Sequence, residues 1–532
     1  MVMKPCAEAV FRRATALPRR DVTRIMDRLQ LLKNINFGSQ VAEDEISSLQ
    51  DYFVATDQWS RIERGEVDLV RGEKGAGKSA IYLLLEKRRD NFFDQNVVIV
   101  SGENPRGATV FKDLISDPPA SEREFIVLWK LYILSIVAHE MRSYGISEAP
   151  ASEVYAALED AKLLDRVMNL AGLLRSAQSF ARRLLGIKAI EGGLEIDPNT
   201  GATGIVGKIS LQEPTTELRS SGINSIDGMF EKLNRSLDLS NFTVWVLLDR
   251  LDVAFADSHE LEANAIRALV RAYGDLRSFN RLSLKIFLRE DIWKRVTESG
   301  FREASHVIRF VVMGWSTPML LNLLMRRLLN NPAFVESFAI NKDEILNNAD
   351  QQVALFRRVF PEQVEQGSRK AATFDWMVAR CADATGNTAP REMIHLLNSL
   401  REEEIRRLER GENVAPGDQI FDRSVFKLAL PRVSETRLNT YLYAEYPEER
   451  PSIEKLVGEK TEQTPESLAE IWGVSRDDAI QKAQILVKLG FFQVRGTRQE
   501  PTYWVPFLYR DALKMVQGKA GAASTDAEEN DD

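Results

Sequence analysis

Short apolar runs and stretches with apolar residues at helical spacing alternate along the N-terminal part of the chain. Runs this short and this apolar are typical of strands that are buried on both faces. Alternation of such strands with helices predicts the α/β class, with a parallel, doubly wound sheet of five strands. The predicted strands occupy residues 67–70, 97–100, 242–248, 282–288 and 306–312.

A glycine-rich run, GEKGAGKS, follows the first predicted strand and precedes a helical pattern. It has the form G-x-x-x-x-G-K-[ST], in which backbone N–H groups and a helix N-terminus surround phosphate oxygens. Lys78 is expected to reach the β- and γ-phosphates of a nucleotide, and Ser79 is expected to ligate Mg²⁺. The alternative is a glycine-rich turn that matches by chance. The candidate nucleotide-binding residues are Gly72, Glu73, Lys74, Gly75, Ala76, Gly77, Lys78, Ser79 and Ala80.

A second acidic strand supplies the carboxylates that such a loop needs. The predicted strand 242–248 ends at Asp249, and Asp252 follows shortly after it. Because ligands of parallel sheets bind at the carboxyl ends of the strands, Asp249 is expected to hold Mg²⁺ together with Ser79. Asp252 is expected to orient or deprotonate the attacking water. The alternative is a strand that ends in a solvated acidic turn.

Composition narrows the possible chemistry. The chain has 532 residues, too many for one core, and a net charge of −8, which argues against nonspecific coating of nucleic acid. Its two cysteines and four histidines are scattered, so neither a disulfide framework nor a zinc site is expected. We find no secretory signal and no apolar run of membrane-spanning length, and we expect a cytoplasmic protein without membrane contact.

The pattern divides the chain into an N-terminal helical segment (1–35), a phosphate-loop core (36–316) and a helical lid (317–412). The core contains an insertion at about residues 119–215, in which alternating apolar residues predict a β-hairpin over 187–211 around a turn at 197–201. This hairpin is either a contact arm for a partner or a decorative insertion.

Residues 436–516 have the pattern of a winged helix, and a disordered acidic tail follows at 519–532. A DNA-reading helix presents a basic face, whereas Asp477 and Asp478 begin the second helix here. Residues 431–520 contain 13 basic and 13 acidic side chains. The domain therefore either contacts DNA, through residues such as Arg495 and Arg498, or contacts a protein or the lid.

The motifs GEKGAGKSAI, VWVLLDRLD and KIFLREDIW, with FGSQVAEDE upstream, resemble those of bacterial STAND/KAP-type P-loop ATPases, relatives of the AAA+ and origin-recognition ATPases. The resemblance covers about residues 36–400. It implies that the strand ending in Arg289 lies between the phosphate-loop strand and the acidic strand, with Arg289 as a first sensor of the γ-phosphate. It also implies a second sensor at Arg391 and an arginine finger at Arg302. Each arginine has an alternative as a surface ion-pair partner.

Two features depart from this resemblance. No histidine follows His395, although STAND proteins often carry one in a C-terminal winged helix, and the membrane-spanning insertions of KAP-type proteins are not found.

The motifs predict a molecular switch that binds and hydrolyses ATP with Mg²⁺. The resemblance implies a homo-oligomer that controls an effector protein, with a role in antiphage defence. The alternative function is a nucleotide-gated DNA-binding protein of the origin-recognition or transposition-factor type, with DNA contacted through residues 436–516. A pseudo-ATPase scaffold is a third possibility, against which the acid at Asp252 argues.

Overall fold

The chain folds into two compact units. A computed structural model describes residues 19–104, 109–112, 114, 118–119, 121–164, 169–190, 193–196, 205–251, 258–298 and 300–521. The core unit comprises Val41–Gln50 and Ala55–Gly314. The C-terminal unit comprises the chain up to Gln40, the segment Asp51–Val54 and the chain from Trp315 onward. The C-terminal unit is therefore built from chain on both sides of the core unit.

A five-stranded parallel sheet forms the centre of the core unit. Its strands are β1 (Leu69–Gly72), β2 (Val97–Ser101), β3 (Thr243–Leu248), β4 (Leu282–Arg289) and β5 (Phe310–Met313). Their order across the sheet is β5-β1-β4-β3-β2, and all neighbouring strands are parallel. The predicted α/β class with a five-stranded parallel sheet is confirmed. β4 lies between β1 and β3. Because the three strands are parallel, their carboxyl ends lie at the same edge of the sheet.

Two strands begin later than the sequence predicts. β1 begins at Leu69 instead of residue 67, because the Val67 carbonyl accepts a hydrogen bond from Lys285 Nζ (2.6 Å). β5 begins at Phe310 instead of residue 306, because Arg302–His306 forms a 3₁₀ helix that ends with Val307 N donating to the Ala304 carbonyl (3.2 Å). In both places, backbone groups that the apolar pattern assigned to a strand form hydrogen bonds with a side chain or within a helical turn instead.

The 22-residue helix Glu122–Ser143 is the most deeply buried connection of the core unit. Ser121 caps it by accepting a hydrogen bond from Glu124 N (3.2 Å), and Trp129 Nε1 donates to the Ala265 carbonyl (3.0 Å) of a neighbouring helix. The described α-helices that lie wholly within the core unit are Asp57–Glu63, Lys78–Lys87, Arg89–Phe93, Glu122–Ser143, Ala149–Asp160, Leu170–Leu184, Thr216–Ser220, Ile226–Ser240, His259–Leu276 and Glu290–Glu298.

The predicted hairpin region contains a short antiparallel pair. Ile187–Ile190 pairs with Gly193–Ile196, and Ile190 lies opposite Gly193. The predicted turn at residues 197–201 lies outside the described residues. Farther along, Ile205–Val206 pairs with Ile209–Ser210.

The C-terminal unit is mainly helical and carries a smaller, four-stranded sheet. Its α-helices of seven or more residues are Arg19–Asn34, Thr317–Leu329, Pro332–Phe338, Ala349–Val359, Thr373–Cys381, Pro390–Glu409, Ser424–Arg437, Pro465–Trp472 and Arg476–Lys488. The strands are β6 (Lys460–Gln463), β7 (Gln493–Gly496), β8 (Pro501–Trp504) and β9 (Val516–Lys519), in the order β7-β8-β6-β9. In the described part of the chain, no helix is both long and apolar enough to cross a bilayer.

Within the C-terminal unit, the first described helix contacts a helix that lies far from it in sequence. Arg401 Nε, on helix Pro390–Glu409, donates to the Leu32 carbonyl (2.8 Å), and Lys33 pairs with Glu409 (2.8 Å). Helix Arg19–Asn34 is thereby fixed to chain that lies on the far side of the core unit in sequence.

A buried arginine ties helix Pro390–Glu409 to helix Ser424–Arg437 of the same unit. Arg437 is 8% exposed and pairs with Glu392 (2.9 Å), and its guanidinium lies 3.8 Å from the centre of the Tyr441 ring. One turn earlier on the same helix, Ser434 Oγ accepts a hydrogen bond from Ala512 N (3.0 Å) near the C-terminal sheet. Breaking a buried ion pair costs about 3–5 kcal/mol, so these contacts favour joint movement of the two helices and the chain that follows them.

Replacement of Gly102 by alanine is expected to destabilise the core unit. A Cβ atom on Gly102 would lie 2.6 Å from Leu248 Cδ2 and 3.1 Å from the Leu247 carbonyl oxygen, so the buried Leu248 side chain and the Leu247 carbonyl would have to shift. Overpacking of this kind costs about 1–3 kcal/mol, which a lowered midpoint of chemical unfolding would show.

The matched control is Gly274→Ala on helix His259–Leu276. No neighbouring atom lies within 4 Å of the Cβ that this change adds. Alanine within a helix is favoured over glycine by about 0.5–1 kcal/mol, so this variant is expected to match or exceed the parent in stability. Equal midpoints for the two variants would contradict the prediction.

Candidate nucleotide-binding site

The segment between β1 and helix Lys78–Lys87 is a tight loop built on two left-handed glycines. Gly75 has a φ of 85° and Gly77, which precedes the helix, has a φ of 100°. Side chains rarely tolerate these values, so glycine is required at both positions. Ala76, between them, is buried, and its N–H donates to the Glu73 carbonyl (3.1 Å). The two glycines and this hydrogen bond therefore produce a tight turn of the backbone between β1 and the helix.

Lys78 folds back onto this loop. Its Nζ donates to the carbonyl oxygens of Gly72 (2.8 Å) and Glu73 (3.0 Å). The ammonium group is therefore held at the loop, at the N-terminus of a helix whose dipole adds positive potential. This combination of a cation, a helix N-terminus and left-handed glycines suits phosphate.

Ser79 and Asp249 meet at the carboxyl edge of the sheet. Ser79 Oγ donates to Asp249 Oδ2 at 2.9 Å, and Asp249 is only 5% exposed. A hydroxyl and a carboxylate are the oxygen ligands that Mg²⁺ uses beside phosphates. The donor set at this point therefore fits a magnesium ion.

Arg289 lies at the same edge, at the end of β4. It is opposite Gly72 in the register of β4 with β1. The guanidinium forms a two-point ion pair with Asp291, with distances of 3.0 Å from Nε and 2.7 Å from Nη2. Arg289 thus ends the strand that lies between β1 and β3 and is paired with Asp291, and its role as a first sensor stays a prediction.

The other predicted site residues lie elsewhere. Arg302 is exposed on the 3₁₀ helix Arg302–His306 of the core unit. Arg391 belongs to the C-terminal unit, in the first turn of helix Pro390–Glu409. Asp252 lies outside the described residues. The residues that converge at the sheet edge are therefore the loop 72–80, Asp249 and Arg289.

A further carboxylate, Glu103, was missed by the sequence analysis. β2 is parallel to β3 with Ser101 opposite Leu247, so two residues farther on Glu103 falls level with Asp249. Glu103 is 1% exposed. The rule that polar residues after a buried strand reach the ligand edge applies to β2 as it does to β3, and it could have identified this residue.

The Glu103 carboxylate is buried among hydrogen-bond donors. Oε2 accepts from Thr109 Oγ1 (2.6 Å), and Oε1 accepts from the backbone N–H groups of Asn104 (2.8 Å) and Val110 (3.2 Å). Burial raises the pKa of Glu103 to about 7, although these hydrogen bonds and the positive charge of Arg250 oppose the shift. Near neutral pH the group is therefore close to half-protonated.

This raised pKa predicts a pH-dependent difference between the parent protein and Glu103→Gln. From about pH 4.5 to pH 7 the folded state keeps a proton on Glu103 that the unfolded state has lost. The stabilisation from this group is complete below that window and is lost as the pH rises through about 7. Glutamine cannot titrate, so Glu103→Gln should gain stability relative to the parent between pH 5 and pH 7.5. Thermal unfolding of both proteins at the two pH values measures this, and an unchanged difference would contradict it.

Comparisons with known proteins reveal only distant likenesses. No protein-family model matches the chain, and no curated protein matches it. Among solved structures, the ORC1 protein of Aeropyrum pernix in complex with DNA is similar at 12% identity and a TM-score of 0.34, over 87% of this chain and 93% of that one. The Aeropyrum pernix ORC2 protein is similar in its ADPNP–ADP complexes (10% identity, TM-score 0.28, 84% and 87% covered) and in its ADP form (11%, 0.29, 88% and 90%).

Proposed function

We propose that the core unit binds ATP with Mg²⁺ and hydrolyses it, and that the protein is a nucleotide-controlled switch. The observation that carries this proposal is the 2.9 Å hydrogen bond between Ser79 and Asp249 beside a loop on which Lys78 is folded. In P-loop nucleotide hydrolases, Mg²⁺ is held by a hydroxyl that follows the phosphate loop together with a carboxylate at the end of another strand.

Each residue has a defined task in this proposal. When a nucleotide binds, the Lys78 ammonium gives up its hydrogen bonds to the carbonyls of Gly72 and Glu73 and donates to phosphate oxygens instead. The N–H groups of the loop and the N-terminus of the helix bind the remaining phosphate oxygens. Ser79 and Asp249 hold Mg²⁺, which when bound neutralises the charge that develops on the phosphates. Asp252 stays the predicted residue for activating the attacking water.

Arg289 suits a sensor because its charge is shared with Asp291. An anion at the loop competes with the Asp291 carboxylate for the guanidinium, since both offer paired oxygens. The number of phosphates on the bound nucleotide can thereby change the ion pair between Arg289 and Asp291. Such a change is the kind of local electrostatic event on which nucleotide switches depend.

The C-terminal unit offers a route for the output. Arg391, the predicted second sensor, is the neighbour of Glu392 in the first turn of its helix. Glu392 pairs with Arg437, which contacts Tyr441 on the way to the C-terminal sheet. A shift of the Arg391 helix would therefore move the C-terminal region with it. Control of an effector protein, homo-oligomerisation, the role of Arg302 and a place in antiphage defence stay predictions.

The C-terminal region is proposed to be a winged-helix module that contacts protein. The helix pair Pro465–Trp472 and Arg476–Lys488 is joined at Gly473 and precedes the β7–β8 hairpin. Arg476 pairs with Glu466 (2.7 Å), and Arg495 stacks on Trp504 at 3.9 Å. The exposed side chains of the second helix are mostly acidic or neutral: Arg476, Asp477, Asp478, Gln481, Gln484, Ile485 and Lys488. Such a face favours protein over phosphate.

Lys78→Ala is expected to weaken ATP binding by about 100-fold or more, because hydrogen bonds to charged groups contribute about 1.5–3 kcal/mol each. Titration calorimetry with Mg²⁺ and ATP measures the loss. Lys87→Ala is the matched control, because Lys87 lies on the same helix and its Nζ donates to the carbonyls of Ile46 (3.0 Å) and Ser47 (2.9 Å). Equal binding by the Lys78 variant and the parent would refute the proposal.

Turnover with and without double-stranded DNA separates the proposed function from the DNA-gated alternative. With a protein-contacting module, ATP hydrolysis at moderate salt should change less than about twofold on adding DNA, because few phosphate contacts are available. Stimulation by DNA that disappears in the double variant Arg495→Glu and Arg498→Glu would instead favour the alternative. Arg369→Glu, a charge reversal at an exposed position outside residues 436–516, is the control for net charge.

A further inference from the structure

Glu103 follows the carboxyl end of β2, at the same sheet edge as the candidate site. Its carboxylate accepts hydrogen bonds from Asn104 N, Thr109 Oγ1 and Val110 N. This single buried carboxylate therefore holds Asn104, Thr109 and Val110 together, and the four residues are called the Glu103 cluster.

Tyrosine hydroxyls and an arginine join the Glu103 cluster to its surroundings. Tyr82, one turn after Ser79 on helix Lys78–Lys87, donates to the Glu103 carbonyl (2.8 Å). Tyr132, on helix Glu122–Ser143, donates to the carbonyl of the preceding residue, Gly102 (2.8 Å). Arg250, which follows Asp249, donates to the Asn104 carbonyl (3.1 Å). The cluster is thus bonded to the helix that carries Ser79 and to the chain that carries Asp249.

Arg250 has an uncommon backbone conformation. Its φ of 58° is left-handed, which costs a non-glycine residue about 1 kcal/mol or more and persists only where surrounding contacts impose it. The hydrogen bond to Asn104 is one such contact. The conformation of Arg250 sets the direction in which the chain leaves Asp249. Asn104 in turn is fixed by Glu103.

We propose that Glu103 is a positioning residue for ATP hydrolysis: it fixes Asn104, and through Asn104 and Arg250 it fixes the backbone that leaves Asp249, the candidate magnesium ligand. This inference rests on the proposed function, and it adds a residue that neither the motifs nor the resemblance assigns.

The geometry assigns Glu103 a role in positioning and not in proton transfer. Both carboxylate oxygens accept hydrogen bonds from protein donors, and the side chain is 1% exposed. A general base must lie within hydrogen-bond reach of the water that it deprotonates. Glu103 instead acts on the position of other groups, so its hydrogen bonds matter more than its charge.

The test compares Glu103→Ala with Glu103→Gln. Alanine removes all three acceptor bonds, whereas the glutamine carbonyl can still accept from Asn104 N and Val110 N. Since a misplacement of about 1 Å can cost about 100-fold in rate, Glu103→Ala should lower kcat by about 30-fold to 100-fold with KM changed less than about threefold. Glu103→Gln should keep kcat within about fivefold of the parent. Hydrogen exchange of the Asn104 and Val110 amides should be faster in Glu103→Ala only.

Thr109→Val provides a milder change if Glu103→Ala fails to fold. It keeps the side-chain volume and removes only the hydroxyl that donates to Glu103. Its kcat should fall by about threefold to tenfold, again with little change in KM. Glu124→Gln is the matched control, because Glu124 is a fully buried glutamate of the same unit whose carboxylate is paired with Arg182 (2.7 Å). It should lower stability and leave kcat unchanged.

Two results would overturn the inference while leaving the proposed function intact. One is an equal loss of kcat in Glu103→Gln and Glu103→Ala, which would make the carboxylate itself the reacting group. The other is a kcat within about twofold of the parent in both Glu103→Ala and Thr109→Val. If the parent hydrolyses ATP no faster than Lys78→Ala, the proposed function fails and the inference fails with it.

Discussion

The hydrogen bond between Ser79 and Asp249 joins residues that are 170 positions apart in sequence, and the arrangement of the core unit makes it possible. β1 and β3 are not neighbours in the sheet, because β4 lies between them. With strands about 4.8 Å apart, β1 and β3 are separated by about 10 Å, and the loop and helix that follow β1 bring the Ser79 hydroxyl to Asp249.

The same strand order explains what surrounds the pair. β4 ends between β1 and β3, and Arg289 stands at its end with its charge balanced by Asp291. On the other side of β3, the end of β2 is brought level with Asp249, which places Glu103. The edge of the sheet thus gathers charged groups from four strands, and each of these groups is paired or hydrogen-bonded within the protein.

Near the amino edge of the same sheet, a buried ion pair between Lys285 and Asp68 stabilises the strands. Lys285 is 1% exposed, and its Nζ donates to Asp68 Oδ1 (3.0 Å) and to the carbonyls of Gly65 (3.1 Å) and Val67 (2.6 Å). Burial lowers the pKa of Lys285, and the neighbouring carboxylate opposes the shift. An apolar pattern cannot reveal such a residue, so the predicted first strand began two residues early.

Sequence reasoning succeeded where chemistry is encoded by neighbouring residues and failed where it depends on distant ones. The loop 72–80 and Asp249 follow from a contiguous motif and from one apolar strand, and the parallel sheet follows from alternation. Glu103 carries no motif; its importance depends on register with β3 and on burial by Tyr82 and Tyr132.

The path of the chain through the C-terminal unit has a consequence for biosynthesis. Helix Arg19–Asn34 emerges from the ribosome early, but its partner Arg401 lies 369 residues after Leu32. Domains generally fold as units during synthesis, so the core unit can complete its sheet while that helix still has no place to dock. Helix Arg19–Asn34 therefore cannot make this contact until residue 401 has been translated.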